Sequence, residues 1–287
     1  MKVADQKIEI QQTAGLLAEF AVQALLEEVY LTPKPGLVDL DNNGSHHDLT
    51  LFLMEASALA LKSTFRDMAL AAFNKKPSQH LREQLAAIGR YGEQQMLQAT
   101  GNVNTHKGAI WCLGLLTAAT SSLLSQEEHF KKQDILDSAG MIAAFNDRYM
   151  PKQLTNGNKV QKKYAVVGAR EEAIMCFPTL SKAALPAWDN YVHESEEVRR
   201  LNVLITLIAT VDDTCILHRS DMDVLRAIQR GAKLIMANGG LGVSKNWTLF
   251  HLLDQYITKH WVSPGGSADL LAASIFIHKI SDHFQLN

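Results

Sequence analysis

The chain has 287 residues, 47% hydrophobic and 20% charged, which is the make-up of a globular protein able to carry its own core. Its 28 basic and 30 acidic residues leave a net charge of −2, which excludes the basic excess of a general nucleic-acid binder. Three cysteines without a CxxC exclude a zinc knuckle or disulfide framework, and no run of about 18 uncharged apolar residues suggests a membrane span.

The first residues, MKVADQKIEIQQ, are polar and lack an apolar signal core, so a cytoplasmic, reduced protein is expected. Cys112, Cys176 and Cys215 lie in or beside apolar stretches and read as buried thiols. Apolar residues at three- and four-residue spacing predict helices over 13–29, 49–73, 80–97, 105–124, 135–145, 196–211, 222–236, 247–259 and 267–284. Shorter helices are expected over 168–176 and after Pro178, and a short extended piece over 164–167. The reading is an all-α fold of about ten helices, one domain spanning 1–287, with active-site loops at helix ends. Residues 150–163, MPKQLTNGNKVQKK, read as an exposed connection or a lid.

Four interhelical segments hold more polar groups than turns require. In LTPKPGLVDLDNNGSHHDLT, 31–50, Pro33 and Pro35 deny helix, and Lys34, Asp39, Asp41, His46, His47 and Asp48 gather around them. Ser45 or Asp48 is expected to cap the next helix. In GNVNTHKGAI, 101–110, Asn104 or Thr105 would cap a helix whose first turn carries His106 and Lys107. A cation there opposes the helix dipole unless an anion docks among the free N–H groups.

In VDDTCILHRS, 211–220, Asp212 and Asp213 are adjacent carboxylates that call for a cation, either Mg²⁺ or the nearby Arg219. In VSPGGSADLLAAS, 262–274, Gly265, Gly266 and Ser267 lead into a helix, where a ligand could approach backbone N–H groups. Asp269 lies in that helix's first turn, as a metal ligand or a dipole partner. NGGLG, 238–242, reads as a helix end and turn. Walker A, GxSxG and HExxH motifs are absent. Anion-binding helix starts, cations and carboxylates together suit a nucleoside triphosphate held with Mg²⁺.

Five segments in order, PKPGLVDLDNNGSHHDL, NTHKGAIWCLGLL, GAREEA with a following FP, DDTCILHR and SPGGSADLLA, resemble the triphosphoribosyl-dephospho-coenzyme A synthase family. The resemblance runs from about Glu28 to Ala272. It implies an all-α transferase that moves the triphosphoribosyl group of ATP onto 3′-dephospho-coenzyme A and releases adenine. The product is the prosthetic-group precursor of citrate lyase or malonate decarboxylase, so an acyl carrier protein or downstream transferase is an expected partner. Neither nucleic acid nor membrane is expected. Cys215 stands where Asn is frequent in the family, Ser220 where Gly is, and Leu40 where many members are basic, so no metal ligand is expected at 215.

The resemblance also implies roles. Asp39 and Asp48 would line the reacting ribose, one as base, with His106 donating to adenine or phosphate. Lys34, Lys107, Arg219, Gly265, Gly266 and Ser267 would hold phosphates. Asp212, Asp213 and Asp269 would hold Mg²⁺, and Glu171 or Glu172 beside Arg170 would reach the site. Two other functions compete. One is an all-α enzyme acting on an allylic diphosphate, although Asp212-Asp213 is followed by Thr-Cys-Ile and not by a DDxxD spacing. The other is a non-catalytic helical module that binds an acyl carrier protein.

Overall fold

Two helices are apolar on nearly every side, and the fold is built around them. The structure is a computed structural model that describes residues 2–126, 129–150 and 155–286. Among the described residues the order is α1 (Lys2–Tyr30), α2 (Leu51–Ala60), α3 (Lys62–Ala72), α4 (Gln79–Ala99), α5 (Lys107–Gln126), α6 (Lys132–Ala144) and α7 (Asn156–Tyr164). After α8 (Ala169–Ile174) and a π-helical turn (Leu180–Ala184) come α9 (Leu185–Asn190), α10 (Glu196–Thr210), α11 (Thr214–Arg219) and α12 (Met222–Ala237). The last two are α13 (Asn246–Lys259) and α14 (Gly265–Phe284), and no strand occurs among the described residues. The all-α expectation holds.

The first central helix is α5, buried almost continuously from Ala109 to Leu123. Its composition and length would let it cross a membrane, yet 78% of the apolar window is buried against α1, α3, α4, α6 and α14. Apolarity on all sides is what a core helix needs. Gly114 admits α3 closely, since a Cβ there would stand 2.5 Å from Met68 Sδ. Truncating Leu113 or Leu116, both fully buried, would leave a cavity costing about 2–5 kcal/mol.

The second central helix is α10, buried from Leu201 to Ala209 and packed on α9, α12 and α14. Helix α14 touches both centres and α1. The start of α14 therefore lies where the two halves meet, and one continuous core runs through both.

Side-chain caps set several helix starts. Thr50, Ser78, Thr155, Ser195, Asp213 and Asp221 each accept a backbone N–H in the first turn. The cap of α2 is thus Thr50, not Ser45 or Asp48. Helix α5 starts at Lys107, and Thr105 turns its hydroxyl to Ser57 instead of capping.

The helix expected over 49–73 is interrupted at Leu61, whose N–H is shared between the Ser57 and Ala58 carbonyls. That tightened turn kinks the chain with no Pro or Gly to announce it. The extended piece expected over 164–167 is absent: Tyr164 ends α7 and Ala165 is left-handed. Within 150–163, residues from Asn156 onward form α7, and 151–154 lie outside the described residues. The NGGLG segment ends α12 as expected, with Gly239 and Gly240 at positive φ.

Candidate active site

The loop 31–50 leaves the end of α1 and folds back against α13 and the end of α11. Its shape rests on two glycines at positive φ, Gly36 and Gly44, whose backbones touch. A Cβ on Gly44 would sit 2.5 Å from the Gly36 carbonyl, so no side chain fits. Asp254 accepts the Gly36 N–H at 3.0 Å and ties the loop to α13. Inside the loop, Asp39 accepts three N–H groups, from Lys34 at 2.8 Å and from Asp41 and Asn42 at 2.9 Å each. Asp39 is 2% exposed and its lone pairs hold the turn.

Lys34 is buried and donates its ammonium to Glu28 Oε1 at 2.5 Å and to the Glu28 carbonyl at 2.6 Å. Burial raises the Glu28 pKa, and the Lys34 charge opposes that rise. Such a pair is costly to desolvate and strongly destabilising to break.

Two carboxylates reach across to helix starts. Asp213 caps α11 through the Cys215 N–H, and its other oxygen accepts the Ser267 N–H at 2.9 Å and hydroxyl at 3.2 Å. The Gly266 N–H also reaches it. Asp269, one turn into α14, accepts the Ala109 N–H at the start of α5. Each carboxylate neutralises a helix N-terminus that the sequence offered to a ligand. The expected phosphate seat at Gly265, Gly266 and Ser267 is therefore already filled, because Gly265 donates to the Ser263 carbonyl and the next two donate to Asp213.

At α5 the first two amides, Lys107 and Gly108, have no acceptor among the described residues. These two N–H groups are the donors left over after Asp269 has taken that of Ala109. Gly108 lets Asp269 approach, since a Cβ there would displace Asp269 Oδ2. The Lys107 ammonium, largely exposed, pairs with Glu93 of α4.

His106 lies just before α5, 3% exposed, with Nδ1 2.7 Å from Ser57 Oγ. Its Nε2 is buried without a hydrogen-bond partner among the described residues. Burial, aided by the Lys34 charge, pushes its pKa down to about 3, so the ring is neutral.

Asp269 is surrounded by like charge. Burial raises its pKa well above the usual carboxylate range, with further contributions from Glu28 and Asp213. Cys215 is exposed to solvent. An added Gly265 Cβ would lie 3.0 Å from its sulfur. The buried-thiol expectation holds for Cys112 and fails for Cys215.

Arg219 and His46 form a rim. Arg219 donates to the Ser45 carbonyl at 2.9 Å and lies 3.1 Å from His46 Nδ1. Asp48 stands 3.9 Å from that ring nitrogen, 69% exposed. Of the expected metal set, Asp212 turns outward to Arg226 at 2.7 Å and Gln229 at 3.3 Å, so it does not join Asp213 and Asp269. No group of three metal-binding side chains forms among the described residues. Glu172 is likewise occupied, accepting the Thr179 N–H at 2.7 Å.

Over residues 14–287 the chain matches the profile of the family described as CitG: ATP:dephospho-CoA triphosphoribosyl transferase. The chain belongs to that family. It is 40% identical over 276 residues to 2-(5''-triphosphoribosyl)-3'-dephosphocoenzyme-A synthase of Klebsiella pneumoniae, covering 96% of this chain and 98% of the relative. A probable synthase of the same name from Pseudomonas syringae pv. syringae is 43% identical, covering 92% of this chain and 91% of the relative. Another from Pseudomonas fluorescens Pf-5 is 41% identical, covering 96% and 94%. No solved structure matches.

Within this triphosphoribosyl transferase family member, two site residues escaped the reading of the sequence. Glu28 is hidden in the EE pair that ends α1, with nothing local to separate it from a surface acid. Ser57 looks like an ordinary helix residue in LFLMEASALA. Only the fold brings them to Lys34 and His106.

Proposed function

We propose that the chain transfers the 5-triphosphoribosyl group of ATP to 3′-dephospho-coenzyme A, with release of adenine. The observation that carries this is the meeting of Lys34, His106, the open start of α5 and Asp269 at one junction, in a chain of this family. In the reaction the acceptor hydroxyl attacks C1′ of the ATP ribose. The C1′–N bond breaks, adenine leaves with the bonding electrons and takes a proton, and the acceptor gives up its own.

The Lys107 and Gly108 amides with the Lys107 ammonium seat polyphosphate at α5, and Arg219 holds it from the rim. His106 offers a neutral Nε2–H to adenine or phosphate. Asp39 is engaged in its turn, so Asp48 takes the proton of the acceptor hydroxyl. Mg²⁺ commonly uses one or two protein carboxylates plus substrate phosphates, and Asp269, crowded by Glu28 and Asp213, fits that need. Mg²⁺ bound there would neutralise phosphate charge. Positive charge developing on the ribose is favoured by the same gathering of carboxylates. The partner that receives the product is an enzyme of the acyl-carrier prosthetic-group route.

The test is direct. The protein is mixed with ATP, Mg²⁺ and dephospho-coenzyme A, and adenine is followed by chromatography. Adenine release that depends on dephospho-coenzyme A is expected. Its absence, or equal release without acceptor, overturns the reading.

A further inference from the structure

A second concentration of positive charge lies one helical turn along α5. On α4, Arg82, Arg90 and Glu93 share a face, and Glu93 meets Lys107. Trp111 is about one turn beyond Lys107, a rise of about 6 Å. The Arg82 guanidinium lies 4.9 Å above the Trp111 ring. Trp111 Nε1 donates to the Ala169 carbonyl at 3.0 Å, which brings the start of α8 and Arg170 to the same place.

The charges there do not balance. Asp147 accepts from Arg90 at 2.6 Å, and Glu83 is held by Arg148 at 2.5 and 2.9 Å. Among the described residues Arg170 finds only the Asn146 side-chain oxygen, at 2.6 Å. Arg82 is 6% exposed, its guanidinium donates no hydrogen bond to a described residue, and its Nε is buried without a partner. Among the described residues four guanidiniums thus meet the carboxylates of Asp147 and Glu83, since Glu93 is held by Lys107. Burial lowers the Arg82 pKa, and the Arg170 and Arg90 charges lower it further against the pull of Asp147. Stacking on a tryptophan returns less than a buried cation with open donors requires.

We propose that Arg82, Arg90 and Arg170, assembled on Trp111, form a second anion subsite that takes the diphosphate bridge of dephospho-coenzyme A; this rests on the transferase reading above. The donor already has its cations at Lys107 and Arg219. In the acceptor, one ribose separates the reacting hydroxyl from the diphosphate, which suits a seat one helical turn from Lys107. Guanidiniums present paired donors to phosphate oxygens, which explains Arg here and not Lys.

Steady-state adenine release is measured for the parent, Arg90→Ala, Arg170→Ala and Arg82→Met, varying each substrate in turn, with Tm recorded for each. The expected result is a KM for dephospho-coenzyme A raised at least tenfold in each variant, with KM for ATP within twofold. Arg82→Met, which keeps an apolar chain on Trp111, should hold or raise the Tm. An active parent whose variants keep the KM for dephospho-coenzyme A overturns the subsite, as does a rise in the KM for ATP alone. A parent that releases no adenine overturns the transferase reading, and the acceptor assignment with it.

Discussion

Ser57 Oγ lies 2.7 Å from His106 Nδ1, and Thr105 Oγ1 donates to the same serine oxygen at 2.6 Å. The serine has a single proton. Its oxygen can accept from Thr105 and from the ring alike, so the contact fits either tautomer; we assign the serine proton to Nδ1, which puts the hydrogen of His106 on Nε2. The buried, unpartnered Nε2 is therefore a donor waiting for an acceptor. Ser57→Ala removes this constraint. We expect kcat to fall about tenfold or more with little change in KM, since a buried hydrogen bond of this kind is worth ~1–3 kcal/mol. Nitrogen NMR of His106 should show Nδ1 unprotonated in the parent and a mixed tautomer in the variant. A parent with hydrogen on Nδ1 would sink the assignment. With its pKa near 3, His106 should also contribute no ionisation to the kcat profile between pH 5 and 9.

The rim histidine makes a second prediction, on stability. Burial and the Arg219 charge depress the pKa of His46 to about 4, against the smaller opposite pull of Asp48. The unfolded chain therefore binds more protons than the folded one between pH 4 and about 6.5. Stability associated with His46 is present above 6.5 and is lost as the pH falls through that window. Glu28, Asp213 and Asp269, with raised values, act with the opposite sign: they weaken the fold as the pH rises from the ordinary carboxylate range. A comparison of variants cancels them. The Tm of His46→Gln should fall less than that of the parent between pH 7 and 5; equal slopes would refute the assignment.

Much of this could be read without coordinates, for physical reasons. Helix positions follow from apolar spacing, which tertiary packing then obeys: α10 through α14 begin and end within two residues of the expected spans wherever a span was drawn. The convergence of 31–50, the α5 start, 211–220 and the α14 start was legible because polar groups between apolar helices need a reason. Roles were less legible. A carboxylate at a helix start reads the same whether it serves a ligand or a neighbouring helix. Asp213 proved to serve α11 and α14, Asp269 serves α5, and Asp39 serves its own loop. The kink at Leu61 and the reach of Ser57 depend on contacts with residues far along the chain.

Gly108 tests the junction itself. A Cβ there would displace Asp269 Oδ2, while alanine is otherwise the better helix former by about 1 kcal/mol. Gly108→Ala should therefore change the Tm by only a few degrees and reduce adenine release at least a hundredfold, by displacing Asp269 from the start of α5. Circular dichroism and the adenine assay decide it. Full activity in the folded variant would mean that Asp269 has no role in the reaction.

Cys215 offers a chemical probe of the same junction. It is the accessible thiol beside Asp213 and Gly265, whereas Cys112 is buried. Burial, with the Asp213 and Asp269 charges, raises its pKa well above the ordinary thiol value, so little thiolate exists near neutrality. Alkylation by iodoacetamide should be slow at pH 7 and accelerate steadily to pH 9.5. An adduct there would fill the space against α14, so activity should fall in step with its formation, measured by peptide mass spectrometry. Cys215→Ala should remain active and resist inactivation, and ATP with Mg²⁺ should protect the parent. Labelling that proceeds fully without loss of activity would place the reacting groups away from the junction of α11 and α14.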